Sequence, residues 1–233
     1  MKYMMTASLL IAEVWVLAMD PPVMEWEMQY YPSLASLFRD VHQMPDGNLI
    51  LGGCVWSGPK EAFLISMDLN GDTLWTCGNE WYSQYAYGAE ELDDGQYIVT
   101  GSCMELSTSS GELFIAKTDS AGSVLWEKIY DVSGSNEIGY CVTALPEGRF
   151  AVSGRVNSTS SQNGQAWILC MDSDGDTLWS DIWGDHTLNF APSVLVQDGK
   201  LVVLVYGSAS GELPLGPHLL LGQKTETIWT STI

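Results

Sequence analysis

An all-β chain made of tandem copies of one small sheet is what this sequence predicts, and three observations carry the prediction. Tryptophan returns at Trp26, Trp75, Trp126, Trp179 and Trp229, at intervals of 49, 51, 53 and 50 residues. A glycine-ending turn keeps the same beat: Pro45-Asp46-Gly47, Asp93-Asp94-Gly95, Pro146-Glu147-Gly148 and Asp198-Gly199. Between these landmarks, apolar residues either alternate with polar ones or run continuously for a few positions, as strands with one or both faces covered do. A period near fifty residues that is rich in β-formers points to a β-propeller of about four four-stranded blades, each burying its faces against its neighbours.

The block from Trp126 to Trp179 shows the elements in order. Trp126 to Tyr130 alternates apolar and polar residues and predicts a strand with one wet face, after which Asp131 to Gly139 forms a polar loop. Tyr140 to Leu145 is the next strand, and Pro146-Glu147-Gly148 turns the chain, with proline fixing one corner and glycine accepting the positive φ. Phe150 to Gly154 is the return strand. A Ser/Asn-rich loop leads to Ala166 to Met171, a continuous apolar run expected to be covered on both faces. Asp172-Ser173-Asp174-Gly175 then turns into Leu178-Trp179. Leu49 to Gly53, Tyr97 to Gly101 and Leu201 to Val205 match the return strand, while Phe63 to Met67, Leu113 to Lys117 and Leu219 to Leu221 match the apolar one. The repeated tryptophan is expected to pack between neighbouring blades, and Gly53, Gly101 and Gly154 to permit close backbone approach.

Five tryptophan strands flank four copies of the rest. Three arrangements fit: a four-bladed ring with a surplus edge strand, an open part of a larger propeller, or a terminal block that has decayed. The last block carries Gly222 and Thr225 where the others have Asp68 and Gly71, Asp119 and Gly122, or Asp172 and Gly175.

Charge is the strongest compositional outlier: 29 acidic residues against 9 basic give a net of −20. Nucleic acid and anionic lipid need clustered Lys or Arg, so neither is an expected partner. Residues 1–18 read as a signal peptide, with Lys2, an apolar stretch from Met4 to Ala18 and Val16-Leu17-Ala18 before the cut. Residues 19–233 are then a secreted or cell-surface repeat domain with no membrane insertion once the signal is removed. Cys54, Cys77, Cys103, Cys141 and Cys170 fall at different places in the repeat, without a CxxC, and read mainly as small core hydrophobes.

Asp94 to Ser102, of the form Asp-Gly-x-Tyr-Ile-Val-x-Gly-Ser, and Lys117 to Trp126, of the form Lys-Thr-Asp-x-x-Gly-x-x-x-Trp, form a blade signature. It resembles that of secreted bacterial β-propeller repeat proteins, and the resemblance covers residues 24–233. It implies the fold and an extracellular setting, and little about activity. Many such proteins end in a sorting domain for type IX secretion, which is not seen up to Ile233.

The turns Asp68-Leu69-Asn70-Gly71-Asp72 and Asp172-Ser173-Asp174-Gly175-Asp176 place oxygen-bearing side chains at alternate positions, as a calcium loop does. Asp68, Asn70, Asp72, Asp172, Asp174 and Asp176 are therefore the candidate metal ligands. Asp or Asn before Gly also makes an ordinary hairpin, and Asp119-Ser120-Ala121-Gly122-Ser123 keeps the turn without the extra carboxylates. No cofactor other than calcium is implied. Sialidase chemistry needs three converging arginines, and the chain has only Arg39, Arg149 and Arg155, two of them in one block. His42, His186 and His218 lack metal-binding spacing and read as exposed or turn residues. No G-x-S-x-G occurs, and the chain is short for a quinone-dependent propeller dehydrogenase.

The function expected from these features is an exported, non-catalytic module that binds a protein or a glycan. Trp56, Trp81, Tyr82, Tyr85 and Tyr87 are its candidate ligand-binding residues, the last four expected in a loop between strands. The alternatives are a propeller-based hydrolase or lyase with an acidic central pocket and a structural segment of a larger cell-envelope protein. Asp40, Glu90 and Asp185, also expected in loops, are candidates for that pocket, with none singled out as catalytic.

Overall fold

The computed structural model describes residues 35–221, apart from positions 45 and 198 and the segments 57–60, 80–82, 105–110, 133–135, 158–163, 184–188 and 208–215. The signal peptide, Trp26, Trp229 and the worn turn at Gly222 and Thr225 lie outside the described residues. The described chain is all-β and forms four antiparallel sheets in sequence order. The first contains β1 (Ala35–Gln43), β2 (Leu49–Trp56), β3 (Glu61–Met67) and β4 (Thr73–Asn79). The second contains β5 (Ser83–Glu91), β6 (Tyr97–Met104), β7 (Gly111–Thr118) and β8 (Val124–Tyr130). The third contains β9 (Glu137–Ala144), β10 (Phe150–Asn157), β11 (Gly164–Met171) and β12 (Thr177–Trp183), and the fourth β13 (Asn189–Gln197), β14 (Lys200–Gly207) and β15 (Gly216–Leu221).

Each sheet is a simple meander, so the tryptophan strand closes a sheet: Trp75, Trp126 and Trp179 sit on β4, β8 and β12, at the outer edge. The inner edge strands β1, β5, β9 and β13 pack on one another in succession.

Alternation along the central strands explains why their sequences are continuously apolar. On β7, Phe114 and Ala116 join a core with Ile50 and Leu64 of the first sheet, while Leu113 and Ile115 join one with Phe150, Val152 and Leu169 of the third. Successive side chains point to opposite faces, and a sheet between two others must be apolar on both. The third interface gathers Ile168 and Cys170 with Ala191, Leu201 and Val203. Each large aliphatic or aromatic group buried in this way contributes about 1.5–3 kcal/mol.

The tryptophans seal these interfaces at the outer edge. Trp75 lies 5.7 Å from the Tyr97 ring, and Trp126 stacks on Phe150 at 6.2 Å. Each indole also covers a turn glycine of the next sheet: a Cβ at Gly122 would meet Trp75 and one at Gly175 would meet Trp126. The equivalent glycines of the return strands behave as expected, because a Cβ at Gly53, Gly101 or Gly154 would run into the carbonyl oxygen of Leu37, Tyr85 or Ile138.

One turn departs from the expectation. In the third sheet, Glu147 (φ 65°) joins Gly148 (φ 70°) in the left-handed region, within a single 3-10 turn over Pro146–Gly148. The motif residues Asp94 and Lys117 approach to 4.0 Å, with the Lys117 side chain buried. All five cysteines are free thiols, four of them buried.

Candidate functional site

The inner edge strands carry an irregularity that the sequence does not announce. Each has one residue more than its partner strand. The extra residue is Arg39 on β1, Tyr87 on β5 and Tyr140 on β9, while on β13 Ala191 and Pro192 share the place opposite Val205. Proline has no N–H to give to a ladder, so a bulge on an edge strand is where it fits. Arg39, Tyr87 and Tyr140 each stand eight residues before the turn glycine of their sheet, at Gly47, Gly95 and Gly148. A bulge re-aims its side chain, and these three converge. The Arg39 guanidinium lies 4.7 Å from the Tyr87 ring centre, and Tyr87 meets Tyr140 edge to face at 5.7 Å.

A second layer of polar groups occupies the positions five residues before those glycines, namely His42, Glu90 and Thr143. His42 Nε2 lies 3.2 Å from Asp40 Oδ2, and that same oxygen accepts the Ala89 N–H of β5 at 2.9 Å. Asp40 Oδ1 accepts the Val41 N–H at 3.0 Å. Glu90 in turn accepts the backbone N–H of Ala144 at the end of β9, and the Cys141 thiol donates to the Val194 carbonyl of β13 at 3.5 Å. Side chains of one inner strand thus bond to the backbone of the next all the way from the first sheet to the fourth.

The two carboxyls are driven apart. Burial pushes Asp40 up, but the His42 hydrogen bond, the Ala89 N–H, the His42 charge and the Val41 N–H outweigh it and hold the carboxyl below its ordinary 3.8. For Glu90 burial dominates: it raises the carboxyl above 4.5, the His42 charge and the Ala144 N–H recover only part, and the Asp40 charge adds to the rise. His42 is raised above 6.5 by its hydrogen bond to Asp40, against the opposing effect of burial, with further help from the charges of Asp40 and Glu90. The two carboxyls are thus held on opposite sides of their ordinary values by their surroundings.

The expected site residues are placed as follows. Asp40 and Glu90 lie on strands rather than in loops, and His42 is a strand residue paired with a carboxylate rather than an isolated turn histidine. Asp185 and His186 lie outside the described residues, and His218 is on β15. Tyr85 and Tyr87 belong to β5, which begins at Ser83, so they are not in a loop; Trp81 and Tyr82 lie outside the described residues. Trp56 ends β2, on the first sheet.

In the Asp-rich turns, the leading carboxylate is engaged by the turn itself. Asp68 Oδ1 accepts the N–H groups of Asn70 and Asp72 at 2.9 and 2.8 Å, and Asp172 Oδ1 those of Asp174 and Asp176 at 3.0 and 2.8 Å. Asp119 does the same with Ala121 and Ser123, where the flanking carboxylates are missing. Asp176 forms an ion pair with Lys128 at 2.7 Å. Among the described residues, no group of three or more His, Cys, Asp or Glu side chains is arranged to hold a metal ion.

No protein-family model and no curated protein matches the chain. Solved structures similar to it include an endo-arabinase from Bacteroides thetaiotaomicron, at 12% identity over 77% of this chain and 72% of that one, with a TM-score of 0.45. A GH32 β-fructofuranosidase from Bombyx mori matches at 13% identity over 76% of this chain and 44% of its own, with a TM-score of 0.42. A GH43 endo-arabinanase from Bacillus licheniformis matches at 10% identity over 74% of this chain and 67% of that one, with a TM-score of 0.36. The chain thus spans less than half of the β-fructofuranosidase. The expectation of a non-catalytic binding module finds no support in these likenesses: all three structures are named as enzymes.

Proposed function

We propose that the chain is a hydrolase of glycosidic bonds that works through Asp40 and Glu90. The observation that carries this reading is the opposite displacement of the two neighbouring carboxyls, one lowered by the hydrogen bonds from His42 and the Ala89 N–H against its burial, the other raised by burial. Glycosidic bonds are cleaved by such a pair: a carboxylic acid protonates the leaving oxygen while a carboxylate activates water or attacks the sugar. In this assignment Glu90 is the general acid and Asp40 the carboxylate. His42 is a positioning residue that orients Asp40 and favours its charged form. Tyr87 and Tyr140, re-aimed by their bulges, supply a ring surface beside the pair, and tyrosine combines an apolar face with a polar tip.

The scaffold in this reading is an open propeller of four blades. What supports it is that β1 packs on β5 and β13 packs on β9, β10 and β11, with no comparable packing of β13–β15 on β1–β3 among the described residues. The signal peptide expected over residues 1–18 puts the activity outside the cell.

The test is release of reducing ends from a panel of plant and bacterial polysaccharides by the wild type and by Glu90→Gln. Turnover that drops at least ~100-fold in the variant, with an unchanged melting curve, fits the assignment. Turnover that survives Glu90→Gln removes Glu90 from the role of acid.

A further inference from the structure

The chain holds only three arginines, and the charges of two of them, Arg39 and Arg155, favour the ionised form of the Tyr140 phenol, against the larger effect of burial, which raises its pKa. They come from different sheets, Arg39 from the bulge of β1 and Arg155 from β10, where it pairs with Ile138 of β9. Neither has a carboxylate partner among the described residues, in a chain with 29 acidic residues. Arg155 Nε is buried without a hydrogen-bond partner. A buried donor left unpaired costs about 1–3 kcal/mol, and a negative charge close to the guanidinium would offset part of that. The exposed Arg39 guanidinium lies over the Tyr87 ring, 4.7 Å from its centre, and a planar guanidinium can offer two parallel N–H groups to a carboxylate or a sulfate.

We propose that Arg39, Tyr87, Tyr140 and Arg155 form a subsite for the negatively charged ring of an acidic saccharide, bearing a carboxylate or a sulfate. This rests on the hydrolase reading for the neighbouring bond. Tyr87 precedes Glu90 by three residues on β5, roughly 10 Å along a strand, so one saccharide can span the arginine–tyrosine layer and the carboxylate layer. The acidic ring is oriented by the guanidiniums and packs on the tyrosine rings, while its neighbour offers the linkage to Glu90. A chain of net charge −20 repels anions over most of its surface, so the attraction must be local to these two side chains.

Calorimetric titration of the full chain tests this with three probes of equal length: an oligogalacturonate, a sulfated galacto-oligosaccharide and a neutral arabino-oligosaccharide. At least one acidic probe is expected to bind about tenfold or more tighter than the neutral one. That preference should fall about tenfold or more in Arg39→Gln and by a smaller factor in Tyr140→Phe, and should persist in Glu90→Gln. Arg39 is exposed, so Arg39→Gln is expected to melt as the wild type does. Which acidic probe binds separates carboxylate from sulfate. Equal binding of all three probes, no binding of either acidic probe, or a preference unchanged in Arg39→Gln overturns the subsite. Acidic binding that depends on Arg39 but yields no product in the wild type sinks the hydrolase reading and leaves the subsite standing.

Discussion

Asp40 Oδ2 accepts the amide of Ala89 from the neighbouring sheet at 2.9 Å while it lies 3.2 Å from His42 Nε2 on its own strand. One carboxylate therefore both ties the seam between two sheets and raises the pKa of a histidine. Asp40→Asn should lower the His42 pKa from its raised value, read by imidazole NMR titration, and destabilise the fold by about 1–2 kcal/mol through the weakened charged hydrogen bonds. The pH dependence has a definite sign. The raised His42 stabilises fully below 6.5, and this is lost as pH rises through its folded value; the lowered Asp40 stabilises above 3.8, and this is lost as pH falls through its folded value. The pair therefore adds most between those limits, and denaturation midpoints of Asp40→Asn should lack that maximum.

Two glycine substitutions separate steric need from backbone need. Gly101→Ala drives a methyl into the Tyr85 carbonyl and should cost about 3 kcal/mol or more, whereas Gly199 has nothing within 4 Å and only its φ of +71°, so Gly199→Ala should cost about 1 kcal/mol. Equal losses in urea melts would contradict the close approach of β5 to β6.

Glu147 is the non-glycine residue with positive φ among those described, in a turn where glycine has no such penalty. Glu147→Gly should stabilise by about 0.5–1 kcal/mol, net of the greater freedom glycine has in the unfolded chain. For a domain of this size that is a rise of about 2–4 °C in Tm per kcal/mol, within reach of calorimetry. A lower Tm would mean the Glu147 side chain contributes more than the strain removes.

The leading Asp68, Asp119 and Asp172 carboxylates already accept the N–H groups of their own turns, and Asp176 is paired with Lys128. Tm should therefore be the same in calcium and in chelator, and Asp119→Ala should destabilise as much as Asp172→Ala. A calcium-dependent rise lost in Asp172→Ala would instead identify that turn as a metal site.

The sheets are legible in the sequence because their signals are local and repeated. The turn glycines, the apolar runs of β7 and β11, and Gly101 each express a demand that every sheet makes in the same place. The site is not, because it depends on what repeats imperfectly. A bulge leaves no composition signal, so nothing in Arg39, Tyr87 or Tyr140 alone says that the three meet. Counting back from the turn glycine does align them, and it also aligns His42 with Glu90 and Thr143. Asp40 and Glu90 read as surface carboxylates because acidic residues abound here; the Ala89 N–H that Asp40 accepts across the seam and the burial of Glu90 become visible only when β1 packs on β5. The aromatics Tyr85 and Tyr87 read as loop residues because Trp81 to Tyr87 has no counterpart in the other blocks, yet β5 starts at Ser83.

The most direct test of the split carboxyl pair needs no substrate. With side-chain carboxyls labelled with carbon-13, the Asp40 and Glu90 resonances, assigned through Asp40→Asn and Glu90→Gln, can be followed against pH. Asp40 is expected to titrate below 3.8 and Glu90 above 4.5, with Glu90 moving lower when Asp40 is replaced. Both groups titrating at their ordinary values, or in the reverse order, would contradict the assignment of an acid and a base to this site.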